Sequence, residues 1–367
     1  MILFLVISFS FLFLYLLLIS GFYHHWKKAC PFHFVKKEEI FISLVIPFFN
    51  EEVNLRSLVT SIKDQNYSRD RFEVILVDDH STDSSLTLAK KLTDDDQNIR
   101  IIRNRGSKGK KYALRSGIIH ASSEYILISD ADCNFSKEWI STFASFFSQN
   151  PSVKLVSSGV VIKTDNNFKQ AYQALEFSSL IATGAASFFE NDPIMCNGAN
   201  LAFTRKLFLE AFENMHPGIN TGDDMFLMLY TKKNYPENYA FIKNLQSFTS
   251  TQSADSWAQF FRQRIRWASK SNVYRDKRLI YTAFVVLFTN LILLIFFILS
   301  FFDLSFLFYF LVYYFIKSIP DYLFLRNYLE FSRQRDLLKF FIPSQLVNMF
   351  FIPLTGISGI IISPNRN

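Results

Sequence analysis

The sequence is poor in cysteine. Three occur, Cys30, Cys133 and Cys196, and none stands at C-x-x-C spacing. That excludes a zinc ribbon and a disulfide framework, and it fits a catalytic domain kept reduced. Cys133 lies beside an acidic motif but reads as filler. The G-x-x-x-x-G-K-[ST] phosphate loop is missing, which excludes P-loop nucleotide chemistry. The chain has no internal repeat and no low-complexity linker. No A-x-A-like site follows the first apolar run, and the positive charges come after that run, the reverse of a cleavable signal peptide.

What the chain has in excess is apolar residues. Half of its 367 residues are hydrophobic, and Phe alone occurs 43 times, which points to a membrane. The net charge is +7, a balance suited to anionic lipid headgroups or anionic substrates and accounted for by Lys and Arg flanking apolar runs. Ile2 to Ile19 is nearly unbroken and is followed by Lys27 and Lys28, so it reads as an uncleaved anchor with its C-terminal end in the cytoplasm. Leu279 to Phe302 is long enough to span and is preceded by Arg275, Lys277 and Arg278. Leu304 to Ile316 is short for a span, and Phe340 to Ile362 is long enough despite Pro343 and Pro353. The expected organisation is an anchor over 1–22, a cytoplasmic catalytic domain over 23–278 ending in an interfacial helix, and a membrane region over 279–367 with two or three spans. Four spans with both termini outside is the topology that fits best, in an integral membrane protein of the bacterial inner membrane.

The middle of the chain alternates. β-rich runs at 43–47, 72–77, 99–102 and 125–128 are separated by helical patterns at 52–65, 84–92 and 110–121. Such alternation predicts an α/β fold with a mainly parallel sheet, whose ligands bind beyond the carboxyl ends of the strands. Two strands end in paired aspartates, Asp78-Asp79 and Asp130-x-Asp132. Carboxylates at that spacing suit Mg²⁺ or Mn²⁺, held together with substrate phosphates. Taken singly, each motif also has a plain reading. Asn50 caps the next helix, Ser81 or Asp83 does the same further on, and Lys108 to Lys111 is a solvated charge cluster. Ser256 to Ser269, with Trp257, Phe260, Phe261 and Trp267, is amphipathic and suits a helix lying on a membrane surface.

Taken together, these pieces resemble family 2 glycosyltransferases of the GT-A fold, over roughly residues 43 to 270. Pro47-Phe48-Phe49-Asn50-Glu51 looks like the family's opening motif. Val77-Asp78-Asp79-His80-Ser81-Thr82-Asp83 looks like its V-D-D-x-S-x-D, and Lys108-Gly109-Lys110-Lys111-Tyr112-Ala113-Leu114 its K-G-K-x-x-A-L. Asp130-Ala131-Asp132 looks like its D-x-D. Thr221-Gly222-Asp223-Asp224 stands where the family has a T-E-D type motif, with Asp223 in place of the usual Glu. Gln263-Arg264-Ile265-Arg266-Trp267 is similar to the Q-x-x-R-W of the membrane-integrated branch, which includes cellulose, chitin, hyaluronan and poly-N-acetylglucosamine synthases and ceramide glucosyltransferases.

The resemblance implies roles. Pro47, Asn50, Glu51, Asp79 and Ser81 belong to the donor site, with Glu51 and Asp79 on base and ribose. Asp130 and Asp132 organise a divalent metal, Mg²⁺ or Mn²⁺, against the diphosphate, and Lys110 adds charge there. Asp224 is the general base, with Asp223 beside it raising its pKa. Gly198, Asn200, Gln263, Arg266 and Trp267 belong to the acceptor and diphosphate side. The implied reaction inverts the anomeric centre of a nucleotide sugar, most readily a UDP-sugar, on a saccharide or lipid acceptor at a membrane, with no nucleic-acid partner. The rival class is a non-catalytic membrane scaffold with a nucleotide-sugar-binding fold. It predicts decay of the acidic motifs, which are all present. A transporter would scatter its polar residues through broken spans, whereas here they form one block.

Overall fold

The computed structural model describes residues 2–35, 40–165, 167–213 and 222–362. Helix α1 (Ile2–Lys28) comes first, followed by β1 (Ile42–Phe48), α2 (Leu55–Lys63), β2 (Phe72–Asp78), α3 (Ser85–Thr93), β3 (Ile99–Arg103), α4 (Lys110–Ile119) and β4 (Tyr125–Ile128). Next are β5 (Asn134–Phe135), α5 (Trp139–Gln149), β6 (Leu155–Ser158), β7 (Val160–Ile162), α6 (Phe168–Phe189), β8 (Leu201–Thr204), α7 (Arg205–Phe212) and α8 (Asp223–Asn234). The chain ends with β9 (Tyr239–Ile242), β10 (Thr249–Thr251), α9 (Trp257–Ala268), α10 (Lys277–Leu299), α11 (Ser305–Phe331) and α12 (Phe341–Ile361). These elements form two compact units. One comprises residues 30–163 and 195–252, and the other comprises 1–29, 164–194 and 253–367. This division cuts across the linear blocks read from the sequence, because α6 and α9 pack with the long helices rather than with the sheet.

The first unit is α/β. Its seven-stranded sheet has the order β3-β2-β1-β4-β8-β6-β9. All its pairings are parallel except those of β8, which runs antiparallel to both β4 and β6. The buried strands read as continuous apolar runs, as parallel strands covered on both faces do. Ile42, Leu44, Ile46, Val74 and Leu76 pack with Leu55, Leu58 and Ile62 of α2, and with Trp139, Phe143 and Phe147 of α5. The chain winds outward from β1 to β3 and then returns to place β4 on the other side of β1. The strand order therefore reverses between β1 and β4, which is where open α/β sheets bind ligands. Pro47 sits in β1 without breaking it. The β1–β4 pairing ends at Val45↔Ile128, and Pro47 pairs only with Val77 of β2. A proline is tolerated where no neighbour requires its N–H.

The second unit is helical. Leu12, Leu293, Phe296, Phe310, Tyr313 and Met349 form its main apolar cluster. Among the described residues, three stretches are long and apolar enough to cross a bilayer: Ile2–Lys28, Lys277–Leu299 and Arg335–Ile361. The short apolar run at 304–316 does not stop at Ile316 but continues in one helix, α11, to Phe331. Its second half carries charge that is satisfied inside the unit. Lys317 Nζ donates to Asp321 Oδ2 at 2.7 Å and to Gln345 Oε1 at 3.0 Å, and Tyr15 Oη donates to Asp321 Oδ1 at 2.7 Å. Buried charge of this kind persists only when paired.

Candidate active site

Four loops meet beyond the carboxyl ends of β1, β2 and β4. After β1, Asn50 turns into the left-handed region at φ 55°. Its Oδ1 accepts from Thr82 N–H at 2.8 Å, and its own N–H donates to Ser81 Oγ at 3.2 Å. Asn50 thus ties the first motif to the second and does not cap α2, whose N-cap position is Asn54. Glu51 follows, with its N–H donating to Ser85 Oγ at 2.8 Å and its Oε2 accepting from Asn54 Nδ2 at 2.7 Å. Burial pushes the Glu51 carboxyl up, and Asp132 and Asp130 push it further against the lowering effect of Asn54.

The two aspartates at the end of β2 have different partners. Asp79 is buried and faces the interior of the loop system. Its Oδ2 accepts from Gly109 N–H and its Oδ1 from Asn104 Nδ2, both at 2.8 Å. These bonds hold the loop that delivers Lys110. Asp78 lines a cleft of about 1220 Å³, together with His80, Ser81, Arg103, Asn104 and Arg115. Its Oδ1 accepts from Ser81 N–H at 3.1 Å, and Arg103 Nε lies 3.6 Å from its Oδ2. Both carboxylates are buried, and both are already held by groups of the surrounding loops.

Glycines set the next two groups. Gly109 at φ 133° precedes α4, and Gly222 at φ 89° precedes α8. Both conformations favour glycine. They place Lys110 on the first turn of α4 and Asp223 and Asp224 on the first turn of α8. Thr221 of the same motif lies outside the described residues. Lys110 Nζ contacts Asp130 Oδ1. Burial alone would lower the lysine pKa, but Asp130, Asp223 and Asp224 together hold it raised. Asp224 Oδ2 accepts from Gly198 N–H at 2.9 Å. Gly198 is tightly surrounded, since a Cβ there would come within 3.3 Å of both Asp224 Oδ2 and Lys110 Nζ. The carboxyl that burial raises is that of Asp223, opposed by Lys110 and reinforced by Asp224.

Asp132 Oδ2 accepts from Thr251 Oγ1 of β10 at 2.9 Å. Burial and then Asp130 push its carboxyl up. Neighbouring Cys133 is buried, and its thiol is pushed up by that burial and by Asp132, so it is inert packing. Among the described residues, no set of three or more His, Cys, Asp or Glu side chains converges as a complete metal cage. The donor set nevertheless fits Mg²⁺ or Mn²⁺. It consists of hard oxygens only, and such ions are commonly held by one or two carboxylates with substrate phosphates supplying the rest. Burial first, and neighbouring carboxylates after it, raise the carboxyls of Asp132 and Glu51, so the cluster would be relieved by a cation.

Asn200 does not line this site. It is fully buried, its Nδ2 donates to Gly159 O and Ser247 O at 2.7 Å each, and its Oδ1 accepts from Trp139 Nε1 at 3.0 Å. Its polar groups bind β8 to its surroundings, so the acceptor role implied by the sequence gives way to a structural one. Gln263, Arg266 and Trp267 lie on α9, in the helical unit. On α9 the buried cation is Arg264, which the motif leaves unspecified. Its Nε and Nη2 grip Glu176 of α6 at 2.6–3.0 Å, and its guanidinium lies 4.2 Å from the Trp267 ring centroid. Arg266 is exposed, and Gln263 Oε1 accepts from Arg264 Nη1 at 2.6 Å.

Residues 43–212 match the Glycosyl transferase family 2. The chain is 24% identical over 236 residues to a dolichyl N-acetyl-alpha-D-glucosaminyl phosphate 3-beta-D-2,3-diacetamido-2,3-dideoxy-beta-D-glucuronosyltransferase of Methanococcus voltae, covering 62% of this chain and 72% of that protein. It is 35% identical over 103 residues to a dolichyl-phosphate beta-glucosyltransferase of Saccharomyces cerevisiae, covering 26% of this chain and 30% of the yeast enzyme. Among solved structures, a mannosyltransferase of Pyrobaculum calidifontis in complex with GDP-Man and Mn²⁺ has a similar fold. That match has a TM-score of 0.56 and 18% identity, and it covers 94% of this chain and 97% of the other.

Proposed function

Starting from the premise that the chain carries a glycosyl transferase family 2 domain, we propose that it is an inverting hexosyltransferase moving a sugar from a nucleotide donor to a membrane lipid acceptor. The observation that carries this reading is Lys110. It pairs with the carboxylate beyond β4 and lies in the field of the acidic pair at the start of α8, the two groups that donor and acceptor chemistry require. Glu51, Asp79 and Ser81, with Asp78 beside them, serve the base and ribose side of the donor, with UDP-sugars as the first candidates. Asp130 and Asp132 hold a divalent cation, which neutralises charge building on the leaving diphosphate. Lys110 adds fixed positive charge at the same place.

Asp224 takes the proton from the acceptor hydroxyl. It stands on the first turn of α8, and the Gly198 N–H holds one oxygen in place. A single displacement inverts the anomeric centre and gives a β-linkage from an α-linked donor. The names of both relatives describe β-linked products on dolichyl carriers, which supports a lipid-phosphate-linked acceptor. Three candidate spans and the lysines at the end of α1 support a membrane enzyme, of bacterial inner-membrane type, whose catalytic unit faces the cytoplasm. For Arg266 and Trp267, the support for phosphate pairing and sugar stacking remains the sequence resemblance.

The test is nucleoside diphosphate release by the full chain in membranes. UDP-glucose, UDP-N-acetylglucosamine and GDP-mannose are offered with Mn²⁺ or Mg²⁺ and polyprenyl-phosphate acceptors. Release with one donor, lowered about 10²- to 10⁴-fold by Asp224→Asn, supports the reading. Release that Asp224→Asn leaves intact, or a product with retained configuration, refutes it. Single-cysteine labelling at Ser57, on an exposed face of the catalytic unit, tests the cytoplasmic placement: labelling of intact cells by an impermeant reagent refutes it.

A further inference from the structure

The acidic cluster of the catalytic unit already contains a cation of its own. The Lys110 ammonium rests on Asp130, the first carboxylate of the D-x-D motif, and is partly buried within the field of Asp223 and Asp224. Gly198 leaves bare backbone against it on the Asp224 side. A divalent ion bound through Asp130 and Asp132 has to share Asp130 with this ammonium, and two positive centres on one carboxylate repel. A nucleoside diphosphate changes the balance, because its oxygens accept from the lysine while neutralising both cations. The lysine side chain, a point charge on a flexible four-carbon stem, suits such an exchange of partners.

We propose that Lys110 is a positioning residue that holds Asp130 until the donor arrives, so that the divalent cation binds firmly only together with the nucleoside diphosphate. The idea rests on the donor and metal reading above and goes beyond it by making the order of binding a property of one side chain. Metal binding and diphosphate binding then strengthen each other, and the coupling is reciprocal.

The experiment is Mn²⁺ binding to the purified full-length protein, read as loss of the free-ion electron paramagnetic resonance signal, with and without UDP or GDP. The wild type is expected to bind Mn²⁺ weakly alone and about tenfold or more tightly with the diphosphate. Lys110→Gln is expected to bind Mn²⁺ alone about tenfold tighter than wild type, with the diphosphate effect shrinking by the same factor. Equal nucleotide-free affinities in folded wild type and variant overturn the proposal. A measurement that requires no variant is reductive methylation of wild-type lysines followed by peptide mass spectrometry. Saturating Mn²⁺ without nucleotide is expected to displace Lys110 and speed its labelling, and an unchanged rate overturns the proposal. If neither protein binds Mn²⁺ even with UDP or GDP, the donor and metal reading itself falls, and this proposal with it.

Discussion

Arg264→Met is expected to be among the most damaging single changes in the helical unit. Arg264 and Glu176 are 6% and 12% exposed, and three contacts of 2.6–3.0 Å join them. The guanidinium also faces Phe260 at 4.5 Å and Trp267 at 4.2 Å. Removing one partner of a buried pair leaves the other charge without compensation and costs about 3–5 kcal/mol. For a unit of this size, about 2–4 °C of melting temperature is lost per kcal/mol, so the expected drop is roughly 6–20 °C. Replacing both charges with apolar residues of similar volume removes the orphaned carboxylate, and most of the loss is regained. Arg264→Lys keeps the charge without the two-pronged grip and falls between. The assay is thermal unfolding of the full-length protein in detergent, followed by tryptophan fluorescence. An Arg264→Met variant within about 1 kcal/mol of wild type, or an Arg264→Met/Glu176→Met double variant no better than the single, refutes the reasoning.

Further predictions follow from the catalytic unit. The Asp132 carboxyl is raised by burial and by Asp130, above an unfolded value of about 3.9. Its contribution to stability is therefore full below that value and lost as pH rises through the folded pKa. The stability of Asp132→Asn relative to wild type should accordingly improve between about pH 4 and pH 8 in metal-free urea titrations, and a constant difference would contradict the assignment. Gly159→Ala drives a Cβ to 2.2 Å from the Phe248 ring and is expected to cost about 1–3 kcal/mol by overpacking, read from the urea midpoint. Asn200→Ala removes the side-chain partner of Trp139 Nε1 and Ser247 O, and one of two partners of Gly159 O. It should destabilise by at least about 2 kcal/mol while leaving the acceptor KM unchanged well below the melting temperature. A raised KM with unaltered stability would restore its acceptor role.

The strands and their acidic ends were legible because their signals are local. Apolar β-rich runs fix β1 to β4 within a residue or two, and a strand that ends in carboxylates puts them at the sheet's carboxyl edge wherever it lies in the sheet. The apolar runs of α1, α10 and α12 are equally local. Tertiary structure decided what depends on distant neighbours. Only the fold shows that Asp79 is bonded to the loop bearing Asn104 and Gly109, while Asp78 is bonded to Ser81 and lies beside Arg103. Asn200 reads as a site residue until Trp139, Gly159 and Ser247 close around it. The motif names Arg266, yet packing against Glu176, 88 residues earlier, buries Arg264 instead. Spacing along the chain determines which side chains share an element. Burial and charge pairing are settled by surfaces that only folding brings together, and those surfaces made Lys110 the cation shared by the D-x-D motif and the acidic pair of α8.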